Sequence, residues 1–295
     1  MRPVGPYHDG ELAVQERAGV SEMARRIGRS IRAEIPPVAA AFLAEQRLAV
    51  MGWVEDDGQE RGRVWASALF GEPGFISADG SDRVGIRAAL APGDPLAERA
   101  RPPADVGLLA IDFATRRRLR INGVASGERP EAFDVRPDQV YSNCPKYIQA
   151  RELRRGAAAA GPAARSSSLT SAQAALLART DTFFIATHHP ECGADASHRG
   201  GSPGFVRVAD DGGSLSWFDY PGNAMFQTLG NIAGDDRAGL LVIDFDSGST
   251  LQLSGSARIV WQPERRVAFR VDRAIEIPAA LPLRWRFVAA SPFNP

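Results

Sequence analysis

The sequence contains the same apolar motif twice. Residues 107–113 read Gly-Leu-Leu-Ala-Ile-Asp-Phe and residues 239–245 read Gly-Leu-Leu-Val-Ile-Asp-Phe, an offset of 132 residues. The same offset pairs the alternating segment 119–125 with 251–257. A period of this length is too long for a solenoid repeat and lies in the usual size range of a domain. The chain is therefore predicted to contain two copies of one β-rich domain.

Composition excludes several classes of protein. With 44% hydrophobic and 24% charged residues, the 295-residue chain has an ordinary globular composition. Its formal net charge is zero, which gives no overall attraction to nucleic acid or to an anionic membrane. The two cysteines, Cys144 and Cys192, lie in different copies, so a disulfide framework is excluded. Without a signal sequence or an apolar run of membrane-spanning length, the protein is expected in the cytoplasm.

The secondary-structure pattern is the same in both copies. A short helix, at Val38–Gln46 and again at Ser171–Arg179, leads into an apolar strand, at Leu48–Trp53 and at Thr182–Thr187. Thr170 begins a typical helix-start sequence before the second of these helices. Many short strands separated by glycine turns are typical of small antiparallel barrels.

Four segments follow from these patterns. Residues 1–36 form a helical arm, with one helical candidate interrupted by glycines, and residues 37–155 form the first copy. Residues 156–168 are rich in alanine, glycine and serine, which is the composition of a flexible linker. Residues 169–295 form the second copy.

Polar chemistry is concentrated in the second copy. The segment Thr187–Gly201 holds three of the four histidines together with Cys192. These side-chain types can ligate a metal, but their spacing fits no recognised zinc pattern. We therefore interpret the segment as a surface loop that contacts an organic ligand, and we predict no metal site. The arginine runs 116–118 and 151–155 are interpreted as solvated ends of elements.

Two neighbouring segments are suited to an anion. Glycines in 199–205 let backbone N–H groups approach a phosphate or a flat ring, although a simple hairpin turn also explains them. After Pro-Gly-Asn, residues 224–232 are predicted to form a short helix with Asn223 as its cap. Thr228 and Asn231 project from one side of it, and its N-terminus suits phosphate. A capped helix with no ligand is the alternative interpretation.

Sequence motifs for side-chain catalysis are absent. The chain has no Walker loop, no dinucleotide fingerprint after a strand and no Gly-x-Ser-x-Gly elbow. A bound cofactor is therefore expected to carry any reaction.

The order of these motifs resembles a known family. Arg-Gly-Gly-x-Pro-Gly-Phe-Val-Arg-Val, Asp-x-Pro-Gly-Asn, Thr-Leu-x-Asn and Gly-Leu-Leu-x-Ile-Asp-Phe follow one another as in the pyridoxamine 5′-phosphate oxidase-like flavoproteins. The resemblance is specific across Phe183–Val260 and weaker across Phe42–Gly123. The segment Tyr141–Gln149 is similar to a segment of two-copy members.

The resemblance implies a mainly β fold, with two tandem six-stranded antiparallel split β-barrels that hold FMN between them. Pro203–Val208 would line the ring and the ribityl chain, and the first copy would present a facing surface. The implied cofactor-binding residues are Arg199, Gly204, Phe205, Val206, Arg207, Asn223, Thr228, Asn231, Trp65 and Ser67.

The chain also departs from the family pattern. Relatives usually carry a basic residue directly after Pro-Gly-Asn, where this chain has Ala224 and Met225, and some carry arginine at the position of Gly230. The first copy lacks both ligand motifs. We therefore expect one cofactor site per pair of barrels, with the first copy as the partner barrel.

The leading functional hypothesis is an FMN-dependent oxidoreductase that acts on a small molecule. His198 and Arg199 are predicted to contact the substrate, since imidazole moves protons near neutral pH and a guanidinium pairs with carboxylate or phosphate. The electron donor or acceptor is expected to be a separate molecule, and no nucleic acid or membrane is expected as a partner, whereas a homodimer is compatible with the pattern. The alternatives are a split barrel that binds without turnover and a haem protein with His188, His189 or His198 as axial ligand.

Overall fold

A computed structural model describes residues 5–55, 61–99, 101–156 and 159–295. Strands make up 45% and helices 15% of the structure, which confirms the mainly β fold class. The helices are α1 (Asp9–Arg17), α2 (Ser21–Gly28), α3 (Pro37–Ala44), α4 (Ser171–Arg179) and α5 (Gln227–Gly234).

The strands form two large sheets and a small one. Those of the first sheet are β1 (Leu48–Glu55), β2 (Arg63–Phe70), β3 (Ile76–Asp79), β4 (Arg83–Arg87), β5 (Asp105–Asp112), β6 (Arg117–Arg129) and β7 (Ala132–Ser142). Two strands follow in the chain, β8 (Ala150–Arg155) and β9 (Ala164–Ser166). Those of the second half are β10 (Thr182–His189), β11 (Gly193–Gly200), β12 (Val206–Val208), β13 (Ser214–Phe218), β14 (Arg237–Ile243), β15 (Thr250–Val260), β16 (Arg266–Ile277) and β17 (Leu283–Ala289).

The two large sheets have the same strand order. It is β2-β1-β5-β6-β7-β4-β3 in the first and β11-β10-β14-β15-β16-β13-β12 in the second, with all neighbours antiparallel where the register is resolved. Neither sheet closes on itself in the part of the chain that the structure describes. Each path has seven strands where six were expected, because the short strands β3 and β12 each pair with the strand that follows them.

Local sequence signals explain the element boundaries. The helical arm divides into α1 and α2 at Gly19, whose φ of +69° is readily adopted only by glycine. Thr170 and Gln173 form the capping box that the sequence predicts at the start of α4. Residues 157 and 158 of the predicted linker lie outside the described residues, and β9 within it pairs with β16. The domain boundaries stay a prediction.

The first half of the chain contains β1 to β7 and the second half contains β10 to β16. The two halves pack against each other through one glycine in each. A Cβ on Gly107 of β5 would collide with the backbone of Asp195 in β11, and a Cβ on Gly239 of β14 would lie 2.7 Å from the Cα of Trp65 in β2. The first apolar core continues across this contact, since Phe184 and other residues of the second half belong to it. The two sides of the junction are therefore related to each other by an approximate twofold axis. Among the described residues, no helix is long and apolar enough to cross a membrane.

Candidate functional site

A cavity of about 110 Å³ lies where the two halves meet. The first half contributes β6 and the segment that follows β7, and the second half contributes β11 and the start of α5. Basic or hydrogen-bonding side chains dominate its lining, including Arg118, Arg120, Lys146, Tyr147, His198, Arg199, Gln227 and Thr228. The arrangement is typical of a site for an anionic ligand.

Two arginines, one from each half, line this cavity without a carboxylate partner. Arg118 donates to Nδ1 of His198 and to the Cys144 carbonyl, both at 2.9 Å. Arg199 donates to the Ser197 hydroxyl at 2.8 Å. No carboxylate of the described residues lies within ion-pair distance of either guanidinium. Burial, together with Arg120 and Arg199, lowers the pKa of Arg118 to about 9, which leaves it charged at neutral pH.

His198 is held in one tautomer. Because arginine only donates hydrogen bonds, Nδ1 of His198 is the acceptor from Arg118, and a neutral ring carries its proton on Nε2. Burial holds the pKa of His198 well below its usual value, and the charges of Arg118 and Arg199 lower it further. The ring is therefore neutral at physiological pH and orients Arg118, and its predicted contact with substrate stays a prediction.

A buried ion pair joins the halves beside this cavity. The Arg120 guanidinium of β6 pairs with the Asp195 carboxylate of β11, and the two residues are 4% and 2% exposed. Arg120 also donates to Gln227 Oε1 at 3.1 Å, which connects the pair to the first turn of α5. Asn122 and Tyr141 donate to the same carboxylate oxygen. The pair fixes β6, β11 and α5 relative to one another.

Helix α5 presents its N-terminus to the cavity in an unexpected way. Ala224 and Phe226 have φ values of 60° and 59°, so the chain makes an additional turn before the helix begins at Gln227. Asn223 accepts from the Met225 N–H at 3.1 Å and does not cap the helix, so that prediction was wrong. Thr228 lines the cavity from the first turn of the helix. Free N–H groups at a helix N-terminus favour an anion.

The N-terminal arm explains the departures from the family pattern. Helix α1 crosses α5 so closely that a Cβ on Gly230 would lie 2.5 Å from Cγ of Glu11. Gln15 donates to the Met225 carbonyl at 2.9 Å, and the Met225 side chain packs in a small core with Tyr7 of the arm. Met225 and Gly230 therefore form the seat of α1.

Two ionisable groups of the arm are buried in this seat. Burial raises the pKa of Glu11 to about 8 and lowers the pKa of His8 to about 4. Both side chains are therefore mainly uncharged at pH 7. His8 also forms a 2.8 Å hydrogen bond with Asn231 through Nε2. The arm thus docks on α5 with little burial of charge.

The cavity brings together only part of the predicted site. His198, Arg199, Phe205, Asn223 and Thr228 line it. Asn231 faces a separate polar cavity, where it bonds to His8 and donates to Thr187. The predicted residues that lie outside the junction cavity are Gly204, Val206, Arg207, Asn231, Trp65 and Ser67.

Trp65 and Ser67 are part of a closed cluster on the opposite side of the junction. Ser67 accepts from Trp53 Nε1 at 3.0 Å and donates to Asp94 at 2.7 Å. Gln252 of the second half donates to the Ala66 carbonyl at 2.9 Å. Trp65 and Ser67 are buried in this cluster and do not line the junction cavity.

The histidine-rich segment is a hairpin and not the loop that was expected. His188 and His189 end β10, and His198 lies on β11. His188 bonds to Asp235 at 3.1 Å, while the His189 ring stacks on His8 at a centroid distance of 3.9 Å. Within the described ranges, no group of three His, Cys, Asp or Glu side chains is arranged to hold a metal.

Sequence reasoning missed the contribution of the first half. Arg118 and Arg120 alternate along β6 and so project from one face of the strand. This alternation was the available signal, but the arginine run was interpreted as a solvated end. Lys146 and Tyr147 belong to the segment that resembles two-copy members, and both line the cavity.

Residues 169–284 match the family model of pyridoxamine 5′-phosphate oxidase. The match covers 116 of the 295 residues and includes β10 to β16 with α5. The second half of the chain thus carries the sequence pattern of the pyridoxamine 5′-phosphate oxidase-like family. No curated protein matches the sequence.

Solved structures with similar regions are distant in sequence. One is a protein related to general stress protein 26, of the pyridoxinephosphate oxidase family, from Clostridium acetobutylicum (11% identity, TM-score 0.27, covering 39% of this chain and 90% of that one). A second is the FAD binding protein from Mycobacterium smegmatis (12% identity, TM-score 0.28, covering 38% of this chain and 98% of that one). A third is HupZ from Group A Streptococcus (14% identity, TM-score 0.26, covering 42% of this chain and 98% of that one).

Proposed function

We propose that the protein is a flavin-dependent oxidoreductase that binds FMN in the junction cavity and acts on a small molecule. The observation that carries the proposal is the pair Arg118 and Arg199, which reach one cavity from different halves and have no carboxylate partner among the described residues. Like charges held together in this way are stabilised by an anionic ligand. The match of the second half to this family supports a flavin as that ligand.

The donor groups fit the phosphate end of FMN. Arg118, Arg199 and Lys146 supply charge, and Thr228 lies in the first turn of α5. A volume of about 110 Å³ accommodates a phosphate group, whereas whole small-molecule ligands occupy about 300–1,000 Å³. Binding of the entire cofactor therefore requires the cavity to widen.

The chain's own residues have binding and positioning roles in this proposal. Bound flavin would supply the hydride or electron transfer that the side chains do not. Arg118 and Arg199 hold the anionic group, and His198 keeps Arg118 in place through the neutral Nδ1. Tyr147 donates to the Pro221 carbonyl at 2.9 Å, which ties the first half to the segment that precedes α5.

The absorption spectrum of the purified protein and titrations with FMN, FAD and riboflavin test the proposal. We expect flavin absorption and an FMN affinity that falls about 100-fold in the double variant Arg118→Gln with Arg199→Gln, because charge-assisted hydrogen bonds to phosphate are lost. Riboflavin has no phosphate and is the matched control, whose affinity changes little. A colourless protein that takes up no flavin would contradict the proposal, and a Soret band would favour the haem alternative.

A second pair of variants tests where the phosphate lies. Thr228→Ala with Asn223→Ala is expected to weaken FMN binding about tenfold through the loss of one or two hydrogen bonds. Asn231→Ala is the comparison, since Asn231 is engaged by His8 and Thr187. An FMN affinity unchanged by the first pair would place the phosphate away from α5.

A further inference from the structure

Arg207 lies on the outer face of the second sheet, where its guanidinium stacks over the ring of Phe218, a residue that also lines the junction cavity. Its strand neighbours are fixed by the register: Arg207 pairs with Ser216, Ser216 with Ala268, and Ala268 with Arg258. Paired residues project from the same face of a sheet, so these four form one row across β12, β13, β16 and β15. Arginines thus lie at both ends of the row, and the two residues between them, Ser216 and Ala268, have small side chains.

The row is the middle of a basin of about 690 Å³. Arg266 and Arg270 lie two residues before and after Ala268 on β16, so they project from the same face. Ser214 and Ser256 flank Arg270 and extend the floor of small side chains.

The basin concentrates positive charge on a chain whose net charge is zero. Arg207, Arg258 and Arg266 have no carboxylate within ion-pair distance in the part of the chain that the structure describes. The fourth arginine, Arg270, pairs with Asp272. One carboxylate lines the basin, that of Asp236, and it pairs with Arg61 at 2.9 Å.

The first half shows that the fold does not require three of these arginines, since only Arg270 has an arginine, Arg136, at the equivalent position. At the equivalent positions of its sheet, the row reads Ser77, Gly85, Asp134 and Ser126. Ala132 occupies the position equivalent to Arg266. The same outer face therefore forms with serine, alanine and a central aspartate, and the arginines of the second half need another explanation.

We propose that this basin is a second binding site, which takes a small polyanion with two or more phosphate groups. The strand spacing places Arg207 and Arg258 about 14 Å apart at the backbone, and four residues of β16 place Arg266 and Arg270 about 13 Å apart. The four arginines border a floor of small side chains, and guanidinium groups bind phosphate oxygens in a bidentate manner. The volume lies in the range of about 300–1,000 Å³ that small-molecule sites occupy.

Calorimetric titration of the full chain with tripolyphosphate tests this site. We expect saturable binding that weakens as salt is raised, because exposed charges are screened. The triple variant Arg207→Ser, Arg258→Ser and Arg266→Ala carries the first-half residues at three positions and should fold, yet its affinity should fall at least about 30-fold. Arg129→Ser removes an exposed arginine of the first half and is the control with unchanged affinity.

The junction cavity is a competing site for the same probe. In the double variant Arg118→Gln with Arg199→Gln, which removes two charges of the junction cavity, the basin should still bind tripolyphosphate with its parent affinity, whether or not FMN binds to the protein. Loss of binding in this variant, unchanged binding in the triple variant, or binding of long anionic polymers alone would each overturn the proposal.

Discussion

At the junction of the sheets, the second half presents Asp195 and Arg199 where the first half, by register, presents Trp65 and Leu69. By the 132-residue offset, Arg118 and Arg120 of β6 are equivalent to Thr250 and Gln252 of β15. One side of the approximate twofold is therefore a basic cavity and the other a packed cluster.

The packed side shows how such a site is closed. Trp53, Trp65 and Ser67 fill the space, and Gln252 reaches across from the second half. Asp94 accepts from Ser67 in this cluster, and burial raises its pKa to about 6. With two equivalent junction sites on one chain, one has become core while the other keeps room for a ligand.

The difference extends to the helix beside the cavity. Between β13 and β14, the second half forms α5, which begins at the cavity and supports the arm. Between β4 and β5, the described residues of the first half form turns and no helix. The arm and the anion donors therefore converge on the same half.

The largest expected effect comes from breaking the charged side of the junction. Asp195→Ala leaves Arg120 buried and unpaired, which should lower the free energy of unfolding by about 3–5 kcal/mol. Gln252→Ala, on the packed side, removes neutral hydrogen bonds and should cost about 1–2 kcal/mol. Urea unfolding at pH 7 measures both, and equal losses would remove the proposed asymmetry.

The arm gives the second half a pH dependence. Because the folded-state pKa of Glu11 is raised to about 8, its contribution is fully present below about pH 4.5 and is lost as pH rises through 8. Glu11→Gln imitates the protonated group, so it should match the parent near pH 5 and exceed its stability by roughly 2–4 kcal/mol at pH 9. Glu16→Gln, exposed on the same helix, is the control. A constant difference between parent and Glu11→Gln across this range would refute a raised pKa.

The seat of the arm depends on close contact at Gly230. Gly230→Ala should destabilise the protein by about 1–3 kcal/mol, since its Cβ meets Glu11 at 2.5 Å, and should speed tryptic cleavage after Arg17. Gly222→Ala has nothing within 4 Å of the new Cβ and should be neutral. If both variants behave alike by denaturation and proteolysis, α1 does not bind as described.

The smallest effect on stability is expected from transferring the basin to the first half. Ser77→Arg, Ser126→Arg and Asp134→Ala alter positions of the outer face, so each change should stay within about 0.5 kcal/mol. The combined variant should bind a second equivalent of tripolyphosphate in calorimetry. Unchanged stoichiometry would show that the arginines alone do not make the site.

The fold was predictable because its signals are local and repeated. The motif at 107–113 recurs at 239–245, and the capping-box sequence at Thr170 predicts the start of α4. The short helix after Pro-Gly-Asn was predictable for the same reason, although it begins at Gln227 and not at Ala224.

The site was predicted only in part because its partners are distant in sequence. Asn231 is engaged by His8, 223 residues away, and Arg118 meets His198 across 80 residues. Trp65 was expected at the flavin by resemblance, but it is buried in the first apolar core beside its strand partner Trp53. Such contacts leave no trace in the local pattern of a single chain.

Gly107 packs against Asp195 and Gly239 packs against Trp65, so the two halves of one chain together form the junction cavity. A site built between separate subunits is lost on dilution, because its assembly depends on protein concentration. Here the contributing strands belong to one polypeptide, so each half meets the other at a high effective concentration. Ligand occupancy should therefore depend on ligand concentration alone, even when the protein is scarce.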